Sequence, residues 1–385
     1  MDNKFSFVRQ ALNKRRNAGQ LRSLRSIEPG GAATLMVNGR ELLNFSSNDY
    51  LGLTQRSEIK EGAISYVRRF GAGCGASRLV CGNFSFFEAL EERLARLKGQ
   101  ESALLFNSGF QANISIIAAL AQRHALIVAD RLCHNSIIQG AILSRARLLR
   151  FNHNDYDHLR AIMRGITTPR GPIFIITESV FSMDGDRANL TELHEIAAEH
   201  EAILYVDEAH ATGVFGSSGM GLACDGEKAD LVMGTFGKGC GSFGAYLACP
   251  RQIREYLINY GQGFIYSTAL PPAAAGAIAA ALDLLPDLDN ERRYLQESAH
   301  YLREGLHNLG FSTGSSSSQI IPLYTGAAGR ALELSNYLEE QGILGVAIRP
   351  PTVEPGRERI RLALSVLHTR NHLDRLLNAL ARRRS

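Results

Sequence analysis

The sequence predicts an α/β fold in which helices cover both faces of a mostly parallel, seven-stranded sheet. Between about residues 100 and 250, short apolar runs alternate with helix-length segments, a pattern typical of parallel sheets. Polar residues or glycines follow most of these runs, as expected where ligands bind at the carboxyl ends of strands. The predicted strands are 103–106, 126–129, 148–151, 173–177, 203–206, 231–234 and 244–248.

Length and composition exclude several classes of protein. The length of 385 residues suggests two or three domains. The composition, with 45% hydrophobic and 21% charged residues, excludes a chain dominated by disorder, collagen or coiled coil. A net charge of +4 does not by itself imply nucleic acid. The longest uncharged apolar run, 273–282, is shorter than the roughly 20 residues of a membrane span. We therefore expect neither nucleic acid nor a membrane as partner. The six cysteines form no C-x-x-C pair, so we also expect a cytoplasmic protein with reduced thiols and no metal.

Three segments are predicted along the chain: an N-terminal helix and arm (1–55), a large domain (56–272) and a small α+β domain (273–385). Pro271 and Pro272 interrupt the strand–helix alternation, and long helical segments with short strands near 320–324 and 360–363 follow. The arm is basic and has the pattern of an amphipathic helix. A mitochondrial transit peptide is the alternative, whereas the lack of an apolar core argues against a secretory signal.

Two glycine-rich segments resemble nucleotide-binding motifs, and both fail on their context. The segment 71–76 matches G-x-G-x-x-A, but it follows a charged helical segment rather than a strand. A P-loop at Lys238 would need glycine where Val232 stands and serine or threonine where Gly239 stands. The sequence therefore argues against a nicotinamide dinucleotide and against a P-loop nucleotide.

Polar side chains at two strand ends suggest pyridoxal phosphate (PLP) chemistry. Lys238 follows a strand within a glycine-rich loop that lets the backbone approach a ligand, and such a lysine can form a Schiff base with an aldehyde cofactor. Asp207 follows the run 203–206 and either caps a helix or keeps a pyridine nitrogen protonated. His210 is placed to reach the phenolic oxygen of the same ring.

Two predicted helix starts complete this cofactor hypothesis. Gly109 and Phe110 begin a helix after a strand, and the free N–H groups of such a start suit a phosphate. His134 also stands at a helix start, where it is a cap, a core histidine or a residue that stacks on the cofactor ring. Together the strand ends predict PLP as the cofactor.

Four segments, in order along nearly the whole chain, resemble the α-oxoamine synthases, a fold-type-I PLP family with an aspartate-aminotransferase-like fold. They are Asn44–Leu53, Val180–Asp186, Val206–His210 and Thr235–Gly239. The resemblance implies a homodimer that condenses an amino acid with an acyl thioester and releases carbon dioxide. Within the family, Ile348–Val353 and the basic stretch ending at Arg22 imply L-alanine and a pimeloyl thioester of coenzyme A or acyl carrier protein, in biotin biosynthesis.

The resemblance also implies a role for each matched residue. Lys238 carries the cofactor and moves the α-proton of the substrate, Asp207 pairs with the pyridine nitrogen, and His210 contacts the phenolic oxygen. His134 stacks on the ring and, as a cation, is expected to stabilise the developing oxyanion. Further cofactor contacts, mostly at the phosphate, are implied for Gly109, Phe110, Ser182 and Thr235, with Ser267 and Thr268 reaching the phosphate of the partner subunit. Substrate contacts are implied for Arg22, Asn48, His134, Arg349, Thr352 and Arg361.

Two alternative functions stay open from the sequence. A sister enzyme that uses glycine, such as a 5-aminolevulinate synthase or a glycine C-acetyltransferase, is disfavoured by the context of Arg349–Thr352. A non-catalytic, PLP-sensing binding protein is disfavoured because Lys238 is retained and no DNA-binding module is evident. Cys74 departs from the glycines and serines usual at its position, and it is either an oxidisable thiol or an inert packed cysteine.

Overall fold

The computed structural model describes residues 4–167, 169–226 and 229–384, and contacts within the chain divide it into two compact units. Unit 1 comprises the residues up to Asn48, Met183–Asp186 and the residues from Tyr294 onward. Unit 2 comprises Asp49–Ser182 and Arg187–Arg293. The chain thus returns to unit 1 after Arg293, whereas the sequence predicts a boundary at 272.

Fourteen strands and thirteen α-helices are found in the described part of the chain. The strands are β1 Ile27–Pro29, β2 Thr34–Val37, β3 Arg40–Asn44, β4 Ser102–Phe106, β5 Leu126–Asp130, β6 Arg147–Phe151, β7 Ile173–Glu178, β8 Ile203–Asp207, β9 Leu231–Thr235, β10 Ala245–Cys249, β11 Ile320–Tyr324, β12 Ile343–Leu344, β13 Val346–Ile348 and β14 Arg359–Ala363. The helices are α1 Ser6–Asn17, α2 Ser57–Phe70, α3 Phe86–Lys98, α4 Gly109–Leu120, α5 Asn135–Ser144, α6 Tyr156–Arg164, α7 Leu190–Glu199, α8 Arg251–Tyr260, α9 Gln262–Ile265, α10 Pro272–Leu284, α11 Asp289–Asn308, α12 Ala328–Glu340 and α13 Arg370–Arg384.

Unit 2 is built on a seven-stranded sheet with the order β4-β10-β9-β8-β7-β5-β6. The neighbours from β9 to β6 are parallel, and β10 is antiparallel to β4 and β9. Each of the seven predicted strands is present, so the predicted mostly parallel sheet is confirmed. Every residue of β5, β7, β9 and β10 is buried, which explains why these strands stand out in the sequence as apolar runs.

One face of this sheet packs against α4 and α5. Ile176 of β7, Tyr205 of β8 and Ile116 of α4 belong to the same buried cluster. Side chains alternate between the two faces of a strand, so the terminal residues Glu178 and Asp207 lie on the face that α4 covers. Two carboxyl side chains are therefore placed together at the carboxyl end of the sheet.

Unit 1 contains two smaller sheets, of order β1-β2-β3-β12 and β11-β14-β13. The two strands predicted in the C-terminal region are β11 and β14, and the sequence did not predict β1–β3, β12 or β13. Asp184 lies in the short segment Met183–Asp186 that belongs to unit 1, and it forms an ion pair with Arg359 of β14 at 2.8 Å. Within the described residues, no helix has the length and apolar character needed to cross a membrane.

A buried ion pair supports the chain that leaves β8. Lys98, at the end of α3, places Nζ 3.0 Å from Oε2 of Glu208, and both side chains are 0% exposed. Lys98 also donates to the carbonyl of Met220, and Glu208 Oε1 accepts from the N–H of Ala223 at 2.8 Å. Because Glu208 follows Asp207 directly, these contacts hold the backbone next to the last residue of β8.

We predict that Lys98→Met lowers the free energy of unfolding by about 3–5 kcal/mol, because it leaves the Glu208 carboxylate buried and without its cation. Denaturant unfolding followed by circular dichroism measures this loss. The matched control is Arg160→Met, which breaks the partly exposed Arg160–Glu199 pair at 2.8 Å and costs less than about 1 kcal/mol. Equal losses in the two variants would contradict the role given to the buried pair.

Candidate active site

Asp207, the last residue of β8, has a buried carboxylate, and 3% of the residue is exposed. Asn113 of α4 donates its side-chain amide to Oδ2 at 2.8 Å, and the N–H of Ala209 donates to Oδ1 at 2.9 Å. Tyr205 donates to the amide oxygen of Asn113 at 2.6 Å and fixes the orientation of that amide. Both oxygens of Asp207 act as acceptors, which is the pattern of an ionised carboxylate.

A second branch of hydrogen bonds leads from Asn113 to His134. The Asn113 amide donates to Ser136 Oγ at 2.9 Å, and this hydroxyl lies 2.7 Å from His134 Nδ1. The N–H of Ser136 also donates to Nδ1 at 3.3 Å, so His134 caps α5. Burial lowers the pKa of His134, and this effect exceeds that of the Asp207 carboxylate, which raises it.

His134 is therefore a neutral ring whose Nδ1 accepts hydrogen bonds and whose Nε2 carries the proton. The expected role of His134 as a cation at an oxyanion stays a prediction. A neutral imidazole can still donate one hydrogen bond from Nε2, although it cannot offer a full positive charge to an oxyanion. The cap function predicted as an alternative is present, and stacking on a ring stays a prediction.

Lys238, His210 and Tyr50 form a row of polar groups. Lys238 Nζ lies 2.7 Å from His210 Nε2, and Tyr50 Oη lies 2.6 Å from His210 Nδ1. Tyr50 is fully buried and His210 is 4% exposed. When Tyr50 donates to Nδ1, Nε2 carries the ring proton and favours the neutral amine of Lys238. His210 thus links the protonation of Lys238 to Tyr50.

The glycines around Lys238 make room for protein backbone. A Cβ on Gly239 would lie 2.6 Å from the carbonyl oxygen of Thr212, and one on Gly241, at φ +62°, would lie 2.5 Å from Leu53. From the sequence, these glycines were expected to let the backbone approach a ligand. In the structure, Gly239 and Gly241 instead allow the loop to pack against other segments of the same chain. The result is a loop whose path, and with it the origin of the Lys238 side chain, is fixed by contacts on both sides.

The start of α4 lies beside the strand that precedes Lys238. Ser108 caps the helix by accepting from the N–H of Gln111 at 3.2 Å, and Thr235 is the nearest residue that a Cβ on Gly109 would meet, at 3.7 Å. Thr235 Oγ1 accepts from the N–H of Gly237 at 3.1 Å. A helix N-terminus with an adjacent hydroxyl fits the phosphate of PLP, and the carboxylate and lysine fit its ring nitrogen and aldehyde.

Ser267 and Thr268 also lie beside the start of α4 in the same chain. Gln111 donates its amide to Ser267 Oγ at 2.5 Å, and Asn107 donates to the carbonyl of Thr268 at 2.9 Å. These contacts place both residues near the helix start that is the candidate phosphate site. Their expected reach to the phosphate of a partner subunit stays a prediction.

The candidate substrate residues of unit 1 form two pairs. Arg361 of β14, which is 7% exposed, donates to Asn48 Oδ1 at 3.1 Å. Arg22 donates to Thr352 Oγ1 at 2.8 Å, although the two are 330 residues apart in the chain. Arg349 donates to the backbone carbonyl of Gly19. The N-terminal arm and the Ile348–Val353 stretch, predicted to act together, are thus joined directly.

The remaining candidates are placed as follows. Ser182 follows β7 and is buried, and Phe110 is 49% exposed on α4. Cys74 is buried and donates to the carbonyl of Leu270 at 3.3 Å, and burial raises the pKa of its thiol, so the packed and inert alternative is the one the structure supports. Neither Asn113 nor Tyr50 was assigned a role from the sequence, although an amide inside the apolar helix α4 is a signal of a specific buried partner.

Comparisons with known proteins identify relatives of this chain. The family model for class I and II aminotransferases matches residues 40–380. A protein of Desulfosudis oleivorans is 52% identical over 98% of each chain and is provisionally named an 8-amino-7-oxononanoate synthase. A protein of Gluconacetobacter diazotrophicus named 8-amino-7-oxononanoate synthase is 48% identical, over 93% of this chain and 92% of its own.

Two solved structures share the fold. Serine palmitoyltransferase from S. paucimobilis, with a bound PLP–myriocin aldimine, has a TM-score of 0.91 and 25% identity, over 98% of this chain and 97% of that one. An 8-amino-7-oxononanoate synthase from Francisella tularensis has a TM-score of 0.78 and 28% identity, over 89% of this chain and 97% of that one.

The row of Tyr50, His210 and Lys238 generates a prediction for Tyr50→Phe. Without the hydroxyl, the His210 ring is free to turn a bare Nε2 toward Lys238 and to favour its ammonium form, so the acidic limb of the pH–rate profile moves to higher pH. We expect turnover at neutral pH to fall about tenfold, from the loss of one buried hydrogen bond. Steady-state turnover across pH measures both effects, with the exposed Tyr260→Phe as control. A Tyr50→Phe profile that matches the wild type would disprove the link.

Proposed function

Since the chain belongs to the class I and II aminotransferase family and, within it, to the α-oxoamine synthases, we propose that it is an 8-amino-7-oxononanoate synthase. The reaction joins L-alanine to a pimeloyl thioester and yields 8-amino-7-oxononanoate, carbon dioxide and the free thiol carrier, as a step of biotin biosynthesis. The chain is a PLP-dependent acyltransferase. The observation that carries the proposal is the placement of Lys238, beside His210, on the loop that follows β9, next to the strand that ends in Asp207.

Asp207 is assigned to the pyridine nitrogen of the cofactor. Bound PLP supplies an aldehyde and an electron sink for a carbanion. The Asp207 carboxylate is buried and held by neutral donors, Asn113 and Ala209, so no cation of the protein neutralises it in these contacts. A buried negative charge favours a proton on the group that it faces. Asp207 thereby keeps the ring nitrogen protonated, which the electron sink requires.

Lys238 is assigned two tasks, attachment of the cofactor and transfer of the alanine α-proton. A neutral amine is needed for both, and the proton on His210 Nε2 favours that form when Tyr50 donates to Nδ1. The contact of 2.7 Å between Lys238 Nζ and His210 Nε2 also positions the free amine before the cofactor is attached. His210 is in addition assigned to the phenolic oxygen of the cofactor.

The other cofactor contacts follow from the helix starts. Gly109, Phe110 and Thr235 are assigned to the phosphate, together with Ser182, Ser267 and Thr268. His134 is assigned to the face of the ring, where its Nε2–H can donate to the carbonyl oxygen of the thioester as negative charge develops on it. Because His134 is neutral, this is the help of one hydrogen-bond donor rather than of a cation.

The pairs of unit 1 are assigned to the substrates. Arg361 and Asn48 bind the carboxylate of alanine, and the guanidinium of Arg361 suits a planar carboxylate. Arg22 and Thr352 line the acyl-thioester site, and Arg349 contributes to it. A homodimer and a cytoplasmic location stay predictions, and the carrier is either coenzyme A or acyl carrier protein.

The substrate assignment predicts alanine over glycine by about tenfold, the effect of one methyl group in a pocket. It predicts pimeloyl over acetyl thioester by about 100-fold or more, because several CH₂ groups contribute about 0.8 kcal/mol each when buried. The measurement is kcat/KM for pimeloyl, succinyl and acetyl thioesters of both carriers with each amino acid. Preference for glycine with a succinyl or acetyl thioester would instead identify a 5-aminolevulinate synthase or a glycine C-acetyltransferase.

A matched pair of arginines on the N-terminal arm controls this test. Arg22 contacts Thr352, whereas Arg25 pairs with Glu339 of α12 at 2.7 Å. Arg22→Met should raise the KM for the pimeloyl thioester and leave that for alanine unchanged. Arg25→Met should change neither. Equal effects of the two variants on the thioester KM would remove Arg22 from the acyl site.

A further inference from the structure

Glu178 is a second buried carboxyl group beside Asp207, and none of the functions assigned above uses it. It ends β7, and its Cα is the register partner of Asp207 on the neighbouring parallel strand β8. Glu178 is 2% exposed and Asp207 3% exposed. Both side chains lie on the sheet face that α4 covers, so two acidic groups are buried close together in the site.

The hydrogen bonds of Glu178 differ from those of Asp207. Its Oε1 has no hydrogen-bond partner among the residues that the structure describes. The carboxyl group accepts one hydrogen bond, from the backbone N–H of His134. The charged and titratable groups that act on it are Asp207 of β8, Asp130 of β5, Cys133 before α5 and Lys238. An ionised carboxylate in this position would leave a charged oxygen buried without a donor, and this costs more free energy than a neutral carboxyl group whose Oε1 lacks a partner.

We propose that Glu178 is a positioning residue of the cofactor site: it stays a neutral carboxylic acid and holds the backbone of His134 through that hydrogen bond. Burial, followed by the charge of Asp207, raises the pKa of Glu178, which agrees with the geometry. A charged Lys238 lowers the pKa of Glu178. The contact of its Nζ with His210 reduces this effect, because it favours the neutral amine when Tyr50 donates to His210.

The neutral state of Glu178 has a consequence for the ring nitrogen. With Glu178 protonated, the carboxyl pair holds a single negative charge, on Asp207, and this charge matches one protonated pyridine nitrogen. The hydrogen bond to the N–H of His134 fixes the residue that caps α5 and is assigned to the ring face. The inference rests on the proposed function for the identity of the cofactor, but it does not depend on which acyl thioester or amino acid reacts.

The test compares Glu178→Gln and Glu178→Ala with the wild type. Glutamine keeps the size, the neutral charge and the oxygen that accepts from His134, so the dissociation constant of PLP, measured by fluorescence titration of the apoenzyme, should stay within about threefold of wild type. Alanine removes that acceptor, and the constant should rise about tenfold or more. Glu195→Gln, which makes the same chemical change on the surface of α7, is the control.

Infrared difference spectroscopy reads the protonation state directly in the holoenzyme at neutral pH. The carbonyl stretch of a buried carboxylic acid should be present in the wild type and in Glu195→Gln and missing in Glu178→Gln. Wild-type and Glu178→Gln spectra that agree in the carboxylic acid region would show that Glu178 is ionised and overturn the inference. So would a glutamine variant that binds PLP as weakly as the alanine variant. A wrong substrate assignment would change neither readout.

Discussion

The hydrogen bond from Asn113 to Asp207 is the contact on which the arrangement of the site depends. Asn113 lies one turn into α4, which begins at Gly109, and a helix that rises 1.5 Å per residue separates the two by about 6 Å along its axis. One helix therefore sets the position of the candidate phosphate contact and the orientation of the carboxylate assigned to the ring nitrogen. Because an amide, rather than a cation, holds Asp207, its charge stays available to the cofactor.

The second constraint is the packing of backbone against backbone around Lys238. Gly239 lies against Thr212, four residues after Glu208, whose carboxylate pairs with the buried Lys98. The loop is thus held between the chain that leaves β8 and the turn at Leu53. A lysine that must meet an aldehyde at a fixed point needs such a support, because its own side chain has four rotatable bonds.

The sequence predicted the seven-stranded sheet because its central strands are buried on both faces and appear as apolar runs. It did not predict β1–β3, since short strands such as the fully exposed β1 lack that signal. Strand ends pointed to Asp207, Lys238 and His134, and resemblance to a family extended the list. Asn113 and Tyr50 could not be assigned, because their partners lie 94 and 160 residues away in the chain. The neutral state of His134 likewise depends on burial and on Ser136, which only the fold brings into view.

The central claim is that the negative charge of Asp207 makes the bound cofactor an electron sink. The most direct measurement is the exchange of the α-proton of L-alanine with deuterated solvent, followed by NMR, in Asp207→Asn. Asparagine keeps the size of the side chain and can bond to Asn113, so the variant should fold and bind PLP. We predict exchange slower by about 100-fold or more, because a neutral amide cannot keep the ring nitrogen protonated. Exchange at the wild-type rate in a PLP-loaded Asp207→Asn protein would contradict the account.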